Sequence, residues 1–161
     1  IAPFTMTNQN GQTITEKDYE NKVYVADFFF TTCPSICPIM TKNMFSLQEK
    51  LKTKYPEVKL LSYSVTPEID TIEQLKRYAI ENKVDDKIWN LVTGDKKEIY
   101  ALARKSYLVV QNDGNGGPHD MIHTENFVLI DKENRIRGYY DGTDINEMDR
   151  LMTEIGMLKN D

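Results

Sequence analysis

Lys22-Val-Tyr-Val-Ala-Asp-Phe-Phe-Phe30 is a nearly unbroken run of β-branched and aromatic residues, and it restricts the fold more than any other segment. A strand that is apolar on both sides must be covered on both sides, which places it inside a sheet with helices on either face. After Thr31-Thr32-Cys33-Pro34, the apolar residues Ile39, Met40, Met44, Leu47 and Leu51 recur at helical spacing until Tyr55-Pro56 stops the segment. Lys59–Val65 reads as a second strand, Thr71–Ile80 as a helix, Ile88–Val92 as a short strand and Lys96–Lys105 as another helix. Asn126–Asp131 and Ile136–Tyr140 form a closing strand pair. The last helix runs from Asn146 to Leu158, with Asp144 as its cap and Ile145, Met148, Leu151, Met152 and Ile155 as its apolar stripe. Asn10-Gly11 marks a hairpin inside Phe4–Thr15 that caps the sheet, with a turn over Glu16–Asn21. The expectation is an α/β chain: a mixed β-sheet flanked by helices, preceded by an N-terminal β-hairpin and forming a single domain over residues 1–161.

With 161 residues, 40% of them apolar, the chain is long enough to bury one sizeable core. Its net charge of −5 comes without any Lys/Arg stripe, which excludes a nucleic-acid partner, because phosphate recognition needs a concentrated basic face. Mixed-sign stretches such as Glu49-Lys50-Leu51-Lys52 read as solvated helix faces. No apolar run approaches the roughly 18 to 20 residues that span a bilayer. The chain opens at Ile1 without an initiator Met, so removal of a leader or an N-terminal anchor is expected.

Chemistry concentrates at Cys33-Pro34-Ser35-Ile36-Cys37-Pro38, where the buried strand gives way to a helix. A thiolate at a helix start is favoured by unpaired N–H groups and by the helix dipole, so at least one of these thiols is expected to have a lowered pKa. Two sulfurs four residues apart can close on one small ion or on each other, and the residues leave both chemistries open. A purely structural disulfide is a poor account, since closing so short a loop constrains the unfolded chain little.

The chain's two histidines both lie in Pro118-His119-Asp120-Met121-Ile122-His123-Thr124, between the Gly-rich stretch Gln111–Pro118, read as a mobile surface loop, and the strand Phe127–Ile130. Loops at strand ends converge in such sheets, so a histidine here is a candidate third ligand beside Cys33 and Cys37. Two thiolates and an imidazole suit Cu(I), while the nitrogen also admits Cu(II). Zinc fits less well, because a structural zinc site wants four ligands and would need His119 or an acid as the fourth. Asp27 interrupts the apolar strand and reads either as a proton acceptor under the thiols or as a satisfied buried acid. Within Thr66-Pro67-Glu68-Ile69-Asp70-Thr71, either Asp70 or Thr71 reads as the cap of the next helix, and the segment also stands where it could border the thiol pocket.

Asp27-Phe-Phe-Phe-Thr-Thr-Cys33-Pro-Ser-Ile-Cys37-Pro38, then Ser64-Val-Thr-Pro-Glu-Ile-Asp-Thr71, then His123-Thr124 with Leu129-Ile-Asp131, together resemble the Sco/SenC family. The resemblance runs from Phe4 to the last helix. It implies a thioredoxin-like fold in which Cys33, Cys37 and His123 bind one copper ion. It also implies a metallochaperone role: delivering copper to, or reducing the cysteines of, the dinuclear copper site of cytochrome c oxidase subunit II. Other copper chaperones are implied as further partners, along with a periplasmic location behind an N-terminal membrane anchor. The alternative is a thiol-disulfide oxidoreductase in which Cys33 and Cys37 form the redox-active pair, Cys33 as nucleophile and Cys37 as resolving thiol. A peroxidase of the peroxiredoxin type is a weaker fit, since no Arg lies near Cys33 in the sequence. The chain departs from the commonest family pattern at Thr66, where an Asp often precedes Pro-Glu.

Overall fold

The computed structural model describes residues 1–32, 36–110, 114 and 116–159. Cys33 and part of the Gly-rich stretch therefore lie outside the described residues. Seven strands are formed among those described: β1 Thr5–Asn8, β2 Thr13–Thr15, β3 Tyr24–Phe29, β4 Lys59–Ser64, β5 Trp89–Thr93, β6 Asn126–Ile130 and β7 Ile136–Asp141. They make one sheet in the order β2-β1-β5-β4-β3-β6-β7. The pairs β3/β4 and β4/β5 are parallel, and every other pair is antiparallel. The helices are α1 Ile36–Lys54, α2 Ile72–Glu81, α3 Lys96–Ala101 and α4 Ile145–Lys159, with a 3₁₀ turn at Glu16–Tyr19.

Every residue of β3 is buried, as its composition requires. Its alternate side chains enter two separate cores. Val25 and Phe29 face a layer built by Met40, Met44, Leu47 and Leu51 of α1 with Leu75 of α2 and Leu151 of α4. Tyr24, Ala26 and Phe28 face Ile99 and Tyr100 of α3 and the residues after it. The hairpin does not sit over the sheet as a cap. It lengthens the sheet by pairing Thr7 with Thr93 and Asn8 with Val92, and the Gln9 side chain then continues the ladder by accepting from Leu91 N and donating to Trp89 O. Those bonds satisfy β5 backbone groups that would otherwise be buried unpaired.

Two residues expected on apolar stripes face outward. Ile39 is 48% and Ile145 51% exposed: Ile39 lies about 100° around α1 from Met40, where the buried row begins, and Ile145 is the first residue of α4, about 60° around from Met148. The helix expected over Lys96–Lys105 changes type midway: after α3 the chain forms a π-helical turn, Leu102–Ser106, closed by Tyr107 N donating to Leu102 O at 2.7 Å. At the outer edge of β7, Arg150 of α4 donates to Tyr139 O at 2.9 Å and Glu147 accepts from Asp141 N, so side chains cover an edge that would otherwise be open.

Candidate metal centre

Cys37 sits in the first turn of α1, buried against the core that α1 shares with β3. Four donors at a helix start lack intrahelical acceptors, and the helix dipole adds partial positive charge, which suits an anionic sulfur. Pro38 is tolerated there because a first-turn residue needs no N–H partner.

His123 reaches the same end of β3 from the other side of the sheet. Its exposed imidazole packs edge-on against Phe30, with ring centroids 5.9 Å apart at 67°, and Phe30 is three residues before Cys33. Ile122 beside it is buried in the second core, and Met121 Sδ accepts from the Tyr100 hydroxyl at 3.6 Å. Cys37 and His123 thus flank the β3–α1 junction, each rooted in a different core. His119 is exposed in the turn closed by Asp120 N donating to Gly117 O, and nothing places it at the junction. Among the described residues, no three His, Cys, Asp or Glu side chains gather as a metal set.

Asp27 is buried and has a hydrogen-bond partner, while its reading as a proton acceptor turns on Cys33, outside the described residues. It lies between Val25 and Phe29 on the α1 side and accepts from the Ser62 hydroxyl, which itself accepts from the Trp89 indole at 2.9 Å. Burial pushes its carboxyl up to about 7, against the opposing pull of the Ser62 hydrogen bond.

Asp70 does more than helix capping, which falls to Thr71: its side chain accepts from Gln74 N at 3.2 Å. Asp70 is fully buried and accepts from Thr31 N at 3.3 Å, Thr31 Oγ1 at 2.5 Å, Ser64 Oγ at 2.7 Å and Thr66 Oγ1 at 3.0 Å. The carboxylate therefore ties the residues just before the cysteine motif to the end of β4. Sequence reasoning missed this role, although the hydroxyl-rich Ser64 and Thr66 beside an acid were a usable sign. Thr66 supplies a donor where a carboxylate would have faced Asp70 at hydrogen-bond distance.

The SCO1/SenC family model matches residues 1–158. The chain belongs to the SCO1/SenC family. A SCO1 protein homolog of Bacillus subtilis is 33% identical over 156 residues, covering 96% of this chain and 80% of that protein. The chain spans between 31% and 39% of the length of the mitochondrial homologues it matches. Among solved structures it is similar to BsSco, a cytochrome c oxidase assembly protein in which a disulfide switch has been identified, with 32% identity, a TM-score of 0.83 and coverage of 97% and 91%. It is also similar to copper-bound ScoI of Arabidopsis thaliana, with 28% identity, a TM-score of 0.76 and coverage of 97% and 98%. The mixed sheet with helices on both faces is the thioredoxin-like fold of these Sco proteins.

Proposed function

We propose that this Sco chain is a copper-binding metallochaperone that holds one ion between Cys33, Cys37 and His123 and delivers it to the dinuclear copper site of cytochrome c oxidase subunit II. The observation that supports it is the packing of the His123 ring on Phe30, which brings an exposed imidazole to the strand end from which the cysteine motif departs. Two soft thiolates and one nitrogen suit Cu(I) and tolerate Cu(II). The copper-bound Arabidopsis relative supports the choice of metal. The same reading puts the domain on the periplasmic side of the membrane, behind an N-terminal anchor. In the described residues, no helix is long and apolar enough to cross a membrane.

A second reading, thiol-disulfide exchange by Cys33 and Cys37, is favoured by the disulfide switch of BsSco and by the burial of Cys37, which suits a resolving thiol. Anaerobic copper titration of reduced wild type and His123→Ala, followed by absorption and electron paramagnetic resonance, separates the two. One tight equivalent with thiolate-to-Cu(II) charge transfer, weakened in the variant, supports the chaperone. Weak binding that the variant leaves unchanged, with disulfide exchange intact, replaces it with the oxidoreductase.

A further inference from the structure

The segment that carries His123 is long: about nineteen residues separate the π turn from β6, and those of them that are described form no helix or strand; connections of that length in compact folds usually serve a function. Its start is held by Val109 N donating to Ala103 O at 3.0 Å, and nearer His123 it is held by a buried ion pair. Arg104, in the middle of the π turn, donates to both carboxylate oxygens of Asp120, Nη1 to Oδ2 at 2.5 Å and Nη2 to Oδ1 at 2.8 Å. The two side chains are only 9% and 10% exposed. Gly116 N donates to Asp120 Oδ2 at 2.9 Å, and the Tyr100 ring lies under the guanidinium at 5.7 Å. Gly114 is pressed so close that a Cβ there would strike both members of the pair. A bidentate, largely desolvated pair of this kind fixes geometry as well as adding energy.

From Asp120 the chain reaches His123 in three residues, with Ile122 in the second core. Beyond His123 it is fixed again where Gly142 N donates to Glu125 O at 2.7 Å and β6 begins. The imidazole therefore sits between two fixed points, and Arg104 contributes to the first together with the buried Ile122 and the Tyr100–Met121 contact. The π turn bears on this because the extra residue in its i→i−5 ring turns the following side chains by about 100° relative to a continued α-helix.

We propose that Arg104 is a positioning residue for the copper site: through Asp120 it holds the His123 strap over the end of β3, so that the imidazole meets the ion already ordered. This rests on the copper reading above. Ordering a free strap at the moment of binding would instead be charged against affinity. The guanidinium pulls the Asp120 carboxyl down to about 2, which keeps the pair ionised throughout the working pH range.

The test measures Cu(I) affinity anaerobically, by competition with a chromogenic chelator, for Arg104→Gln and Asp120→Asn, each in the wild-type and the His123→Ala background. Hydrogen exchange of residues 114–123 is followed in the copper-free proteins. The expected result is an affinity loss of about tenfold for either variant, faster exchange confined to the strap, and no further loss once His123 is gone. Equal losses in both backgrounds overturn the proposal, because the pair would then be acting on the fold at large. So does full affinity in variants whose strap exchanges faster. If His123→Ala binds copper as wild type does, the copper reading itself fails and the positioning claim falls with it. Should Arg104→Gln not fold, the isosteric Asp120→Asn carries the same comparison.

Discussion

Asp27 and Asp70 are both buried carboxyl groups near the strand end, yet their surroundings give them opposite roles. Asp27 has the Ser62 hydroxyl as its donor and is raised to about 7. Between its ordinary value near 4 and that raised value, the folded chain holds a proton that the unfolded chain has lost. Stability should therefore fall as pH rises from about 4 to about 7 and level off above. Asp27→Asn should flatten that slope and stabilise the protein at pH 8, by at most about 4 kcal/mol. Urea unfolding at pH 5 and pH 8 checks this, and an unchanged slope in the variant would rule it out. Asp70, with four donors aimed at it, is a crosslink. Asp70→Ala leaves those donors facing a void and should cost about 3 kcal/mol, read as a drop in denaturation midpoint without a change in m-value. That an acid interrupts β3 was legible in the sequence, but what satisfies each acid was not, because Ser62 is 35 positions from Asp27 and Thr31 is 39 from Asp70.

At the scale of elements, periodicity was a good guide wherever the core reads one face. On α1 the spacing of Met40, Met44, Leu47 and Leu51 located the buried row, and only Ile39 was misassigned. Leu47→Ala should cost about 2 to 5 kcal/mol, while Ile39→Ala should stay within about 0.5 kcal/mol. Equal costs in thermal or chemical unfolding would mean that the helix is rotated. The π turn had no such signal. Nothing in Leu-Ala-Arg-Lys-Ser distinguishes five-residue from four-residue rings, and tertiary partners settle the matter: Tyr107 is buried, its hydroxyl shared with those of Tyr24 and Tyr63, and Arg104 is drawn to Asp120. The hairpin was legible from Asn10-Gly11, but its place beside β5 was not, since that depends on the side chain of Gln9.

Taken whole, the molecule divides its chemistry between two layers. Cys37 belongs to the core under α1, whereas the strap bearing His123 is rooted in the core under α3, and β3 separates them. Saturating Cu(I) should raise the unfolding temperature of wild type by several degrees, as ligand linkage requires, and His123→Ala should keep only part of that rise. Scanning calorimetry with and without a chelator measures both. The sequence placed the two histidines and two cysteines at converging strand ends, but how Cys33 contributes falls outside the described residues. An ion held between Cys37 and His123 would work as a clasp at the end of β3, joining two layers that meet there at Phe30. Loaded and empty chains would then differ in stiffness as well as in composition, and a client could tell a full carrier from a spent one by touch, before any metal changes hands.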